Sequence, residues 1–97
     1  MVFKIEYTSQ AENDIINAID YYHEIASRKI AKSFYKNLIN AEKILVKTPY
    51  FQKTHTDFHR LPLKIFPYLI IYKVEKEENI IRIYRVFHTS QNPDKYL

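Results

Sequence analysis

YLIIYKVEKEENIIRIYRVFH, residues 68–88, decides the fold. Two runs rich in β-branched and aromatic residues, YLIIYKV and IIRIYRVF, flank the polar EKEEN. Runs of that length and composition are strands, and a short polar break between them is a hairpin loop. The chain contains no glycine. The left-handed position of the loop therefore falls to Asn79, whose short amide side chain tolerates positive φ. Strict alternation in the second run puts Ile81, Ile83, Arg85 and Phe87 on one face and Arg82, Tyr84 and His88 on the other. With the isoleucines turned to the core, Arg82, Tyr84 and His88 are expected on the solvent side. An arginine in the apolar row points to a β-bulge as the exception to that rule.

Working outward, RLPL (60–63) reads as a further strand. Pro62 has no amide to give a ladder, which places that strand at a sheet edge. At the other end of the chain VFKIEY (2–7) alternates with period two, a half-buried strand. Between these strands, Ser9 and Glu12 are spaced as a capping box. Ala11, Ile15, Ala18, Ile19, Tyr22 and Ala26 then form one helical stripe, and Ala31, Phe34, Leu38, Ala41 and Leu45 form a second after a short SRK connection. Two amphipathic helices joined so tightly lie antiparallel. Thr48 and Pro49 stop the second helix, and YFQKTHTDFH (50–59) is expected as loop. The expectation is a single α+β domain over residues 1–97: a small antiparallel sheet, ordered β-α-α-β-β-β, with the αα-hairpin packed on one face.

Composition narrows the function. A 97-residue chain that is 46% hydrophobic buries one modest core. Without glycine, neither a phosphate-cradling Walker loop nor a dinucleotide fingerprint can be built. Without cysteine there is no disulfide, thiol nucleophile or cysteine-based zinc site, in keeping with a reducing cytoplasm. The longest unbroken apolar run, YLIIY, is far too short to span a membrane. MVFKIEY already alternates like a strand, so no secretory signal is expected there. The net charge is +4, and it is unevenly spread. Residues 9–26 carry Glu12, Asp14, Asp20 and Glu24 and no cation, whereas residues 28–47 carry Arg28 and five lysines against Glu42 alone. His55 and His59 stand four apart, but between two prolines and without a helical stripe they read as a solvated loop rather than metal ligands. His23 complements the dipole at the end of the first helix.

The words AENDIINAIDYY, AKSFYKNLINAEKILVKTPYF, RLPLKIFPYLIIYKV and IIRIYRVFH followed by NPDKY, in that order, resemble the RelE/ParE family of bacterial type II toxins. The resemblance spans essentially the whole chain. It implies a growth-arresting toxin held by a cognate antitoxin in a hetero-oligomer, with no cofactor, no metal and no membrane. It also implies one of two targets: the ribosome with its mRNA, which RelE-like members cut, or DNA gyrase, which ParE-like members block.

Cleavage by the ribose 2′-hydroxyl needs a proton acceptor, a proton donor and cations on the phosphate. The resemblance nominates Lys64, on the strand before PYLIIY, with His88 and Tyr96 as the catalytic set. Arg60, Arg82 and Arg85 are the candidate phosphate or target contacts. The chain departs from the RelE-like pattern at two places. Leu69 stands where an arginine is usual, and Thr89, Ser90 and Gln91 replace the arginines that commonly follow the histidine. Glutamine does not replace arginine's charge or its bidentate fork. The reading therefore leans to the ParE-like, non-nuclease mechanism, with an mRNA endonuclease as the alternative. A plain nucleic-acid-binding module, using the basic second helix with Arg82 and Tyr84, is a further alternative.

Overall fold

The computed structural model describes residues 3–50 and 57–90. Their elements are β1 (Lys4–Tyr7), α1 (Ser9–Ile25), α2 (Arg28–Lys47), β2 (His59–Pro62), β3 (Tyr68–Glu75) and β4 (Ile80–His88), in the expected order. The sheet runs β1-β4-β3-β2, which puts the proline-bearing β2 at an edge as its missing amide requires.

The pairing is mixed rather than wholly antiparallel. β2, β3 and β4 form an antiparallel meander, but β1 lies parallel to β4, from Lys4 opposite Ile80 to Tyr7 opposite Ile83. The contacts where β1 ends account for its direction. The Thr8 amide donates to Ile83 O at 3.0 Å and the Thr8 hydroxyl to Tyr84 O at 3.0 Å, so the chain turns into α1 beside the middle of β4. Thr8 is also the cap of α1, its Oγ1 accepting the Ala11 amide at 3.1 Å. The expected capping box beginning at Ser9 is displaced by one residue. Thr8 keeps the extended backbone of the strand it leaves, as a cap requires, and Ser9 already belongs to the helix.

Ser27 caps α2 by accepting the Ile30 amide, so Ala26 and Ser27 alone connect the helices. Ala26 is accordingly an exposed C-cap and not part of the buried stripe. All five stripe residues of α2, by contrast, are buried. Phe34 lies at the centre, its ring 5.1 to 5.5 Å from those of Tyr22, Phe66 and Tyr68. This aromatic knot joins both helices to the β2–β3 connection and β3. Burying a side chain of that size contributes roughly 1.5–3 kcal/mol.

The hairpin loop closes as the sequence requires. Asn79 has φ 57°, and its carbonyl accepts the Lys4 amide at 2.8 Å, tying the loop to β1. The bulge is present too. Ile71 opposes Arg85 and Tyr72 opposes Ile83, leaving Tyr84 as the extra residue of β4. Cross-strand partners share a face. Before the bulge, Ile81 and Ile83 face the helices with Val74 and Tyr72; beyond it, Val86 and His88 do so with Ile70 and Tyr68. The solvent-side expectation holds for Arg82 and inverts for His88.

Candidate functional site

The inversion sets His88 beside α1. With Tyr68 and Val86 from the sheet and Asp14, Asn17 and Ala18 from the helix, it lines a small hollow of about 180 Å³. The ring meets Tyr68 edge-on, with centroids 5.2 Å apart. Its Nδ1 accepts the Ser90 amide at 3.1 Å and lies 2.8 Å from Ser90 Oγ. A backbone amide can only donate, so Nδ1 is the accepting nitrogen of this ring and Nε2 is the one left to donate. A further bond, from the Thr89 amide to Pro67 O at 2.7 Å, fixes the turn after the histidine. The Tyr68 hydroxyl is pushed up to about 12, chiefly by burial and then by Tyr22 and Tyr21 beside it. Within this hollow His88 is a hydrogen-bond donor at Nε2 next to a phenol that keeps its proton.

Asp14 organises the same corner. β1 ends opposite Ile83, so the edge of β4 beyond it is open. Asp14 fills that edge by accepting the Val86 amide at 2.9 Å, and it also holds Arg85 in a fork of 2.7 and 2.9 Å. The Arg85 guanidinium stacks on Phe87, 4.5 Å from the ring centroid. Sequence reasoning treated Asp14 only as part of an acidic helix. Its signal was present, however: it sits three residues after Ala11 and four before Ala18, inside the buried stripe.

Arg82 lies on the face of the sheet away from the helices. It donates through Nε and Nη2 to Glu75, at 2.6 and 3.1 Å, and through Nη1 to Glu6 at 3.1 Å. The guanidinium holds the Glu75 carboxyl below the usual carboxylate range, its hydrogen bond being the main cause; the guanidinium is itself raised. Next to it, Lys73 Nζ sits 4.6 Å from the centre of the Phe58 ring, and Phe58 meets Tyr84 edge to face at 5.1 Å. Leu69, at the position of a usual arginine, lies opposite Phe87.

The remaining candidates are dispersed. Arg60 is on the edge strand opposite Ile71. Lys64 is exposed in the β2–β3 connection and not on a strand as expected: Pro62 ends β2, and the Leu63 amide turns to Tyr68 O at 2.9 Å. It lines a hollow of about 270 Å³ against Asn37, Ala41 and Ile44 of α2, separate from the hollow of His88 against α1. Tyr96, Gln91 and His55 lie outside the described residues. His59, expected in a solvated loop, begins β2 and is buried, stacked on Tyr72 with centroids 5.5 Å apart. His23 is exposed in the last turn of α1, at the end its charge suits.

Comparison with known proteins places this arrangement. The chain matches, over residues 5–93, the family model described as the ParE toxin of the type II toxin–antitoxin system parDE. Among solved structures, it is similar to a chain of the chromosomal ParDE toxin–antitoxin system of P. aeruginosa. That pair shares 18% identity and a TM-score of 0.75, covering 89% of this chain and 95% of the other. The archaeal RelE–RelB complex from Pyrococcus horikoshii gives 14% identity and a TM-score of 0.58, with 95% and 100% covered. The isolated RelE toxin of E. coli gives 12% identity and 0.53, with 99% and 93% covered. At these identities the structural likeness is one of fold. A comparison with curated proteins finds no significant match. No helix among the described residues is long and apolar enough to cross a membrane.

Proposed function

The chain belongs to the ParE toxin family of type II toxin–antitoxin systems, and from that premise we propose that it arrests growth in the cytoplasm by inhibiting DNA gyrase without cutting RNA. A co-encoded antitoxin holds it inactive. The disposition of the cations is the observation that supports the non-nuclease reading. A ribonuclease of this size needs cations converging on one phosphate beside a proton donor and acceptor. Here Arg82 is committed to Glu75 and Glu6, and Arg85 to Asp14. Lys64 and His88 line hollows against different helices. An antitoxin partner is supported by the ParDE and RelE–RelB pairs of the same fold. A net charge of +4 also suits an acidic partner.

The test is supercoiling of relaxed plasmid by purified gyrase, with and without this protein. Inhibition relieved by the antitoxin is expected. Unimpaired supercoiling, together with new codon-spaced mRNA ends in cell-free translation, would replace this reading with the RelE-like one. Lys64, His88 and Tyr96 would then be the residues to substitute.

A further inference from the structure

α2 buries one face and turns another to solvent. At 100° per residue, Lys29, Lys32, Lys36, Lys43 and Lys47 fall within an arc of about 60° on that outer face. Extending the arc by about 40° past Lys29 and Lys47 adds Ser33 and Asn40, while its other margin carries Ile39, Arg28 and Val46. The five lysines, Ser33 and Asn40 are all exposed, and among the described residues no carboxylate pairs with any of the five lysines. Glu42, the one acid of the helix, lies outside the arc and accepts the Tyr7 hydroxyl. Lys29 and Lys47 are about 27 Å apart along the axis, with a lysine on nearly every turn between them.

We propose that this face binds the phosphodiester backbone of duplex DNA. Lysine, serine and asparagine are all side chains that contact phosphates and fix a protein's register without reading sequence. Grooves for single strands interleave cations with several aromatic platforms, whereas among the described residues Tyr35 alone stands beside these lysines, at the margin of the arc. A straight row of like charge on a rigid helix complements the regular charge of a duplex, one per about 1.7 Å of axis. The acidic residues of α1 confine the approach to the α2 side. The choice of DNA rests on the gyrase reading, in which the toxin works on an enzyme that holds duplex DNA.

The experiment is fluorescence anisotropy of the antitoxin-free protein with a labelled DNA duplex of about 20 base pairs, at several salt concentrations. Five phosphate contacts give a log–log slope near −4.5, a loss of about 500-fold in affinity between about 50 and 200 mM salt. Lys36→Gln with Lys43→Gln lowers the slope to about −2.7, so the same salt step costs about 40-fold. Lys4→Gln with Lys76→Gln removes the same net charge from exposed positions elsewhere and leaves the slope unchanged. Equal slopes for the two double variants overturn the proposal. So does tighter binding to an RNA duplex, or binding of a polyglutamate peptide with none to DNA. A supercoiling assay run alongside separates the two readings. Salt-sensitive DNA binding without gyrase inhibition sinks only the gyrase reading, and inhibition without DNA binding sinks only this one.

Discussion

Replacing Asp14 by alanine tests the corner on which His88 is built. The carboxylate makes three short bonds, two to the Arg85 guanidinium and one to the Val86 amide. The two side chains are only 15% and 19% exposed, so water replaces the lost bonds incompletely. Breaking a fully buried ion pair from one side costs about 3–5 kcal/mol. With partial exposure on both sides, and with the Val86 amide also unpaired, about 3 kcal/mol is expected for Asp14→Ala. Asp14→Asn keeps an acceptor for the amide and costs about half as much. At a urea slope near 1 kcal/mol per M, the alanine variant unfolds at about 3 M less urea than the parent. A double-mutant cycle with Arg85→Met gives a coupling of about 1–2 kcal/mol. An Asp14→Ala cost below about 0.5 kcal/mol would refute the idea that this carboxylate anchors the bulged edge.

Three further outcomes are expected. Phe34→Ala empties the centre of the aromatic knot and costs about 3–5 kcal/mol, a large share of the stability of a domain this size, measured by urea unfolding. Asn79→Gly is neutral to slightly stabilising, whereas Asn79→Val costs about 1–2 kcal/mol because a β-branched residue resists positive φ; thermal melts of both variants check this. Glu75 has a lowered carboxyl pKa. Its contribution is therefore complete above the unfolded value of about 4.3 and is lost as pH falls through the lowered folded value. The stability gap between the parent and Glu75→Gln at neutral pH should close in acid, and urea midpoints across that range will show whether it does.

Periodicity carried most of the architecture because the elements answer to local rules. The α2 stripe, the edge position of Pro62 and the left-handed Asn79 all follow from side-chain chemistry within a few residues. What escaped depends on neighbours far along the chain. Alternation alone put His88 with Arg82; the extra residue at Tyr84 reverses that beyond the bulge, and Arg85 in an apolar row was its only local trace. The parallel setting of β1 is fixed by Thr8 bonding to Ile83 and Tyr84, which no pattern within KIEY reveals. Lys64 left the strand because Pro62 and the Leu63–Tyr68 bond end the ladder first. As for the site, its residue types were legible, but their partners were not. Whether an arginine is available to a ligand depends on carboxylates that the fold brings to it, such as Asp14 from 71 positions away.

The parallel strand also bears on how the toxin is made. Among the described residues β1 pairs only with β4, across a separation of 76 residues. During synthesis, Lys4–Tyr7 is translated well before Ile80–Ile83, the segment that receives it. Phe34 and Leu38 of the helical hairpin, buried in the finished fold, stay uncovered until the sheet forms against them. Completion of the sheet thus waits for β4, and a chain cut short before β4 leaves its first strand without the neighbour it pairs with. For a member of a toxin family, this connectivity ties the finished sheet, and every surface that depends on it, to the translation of β4.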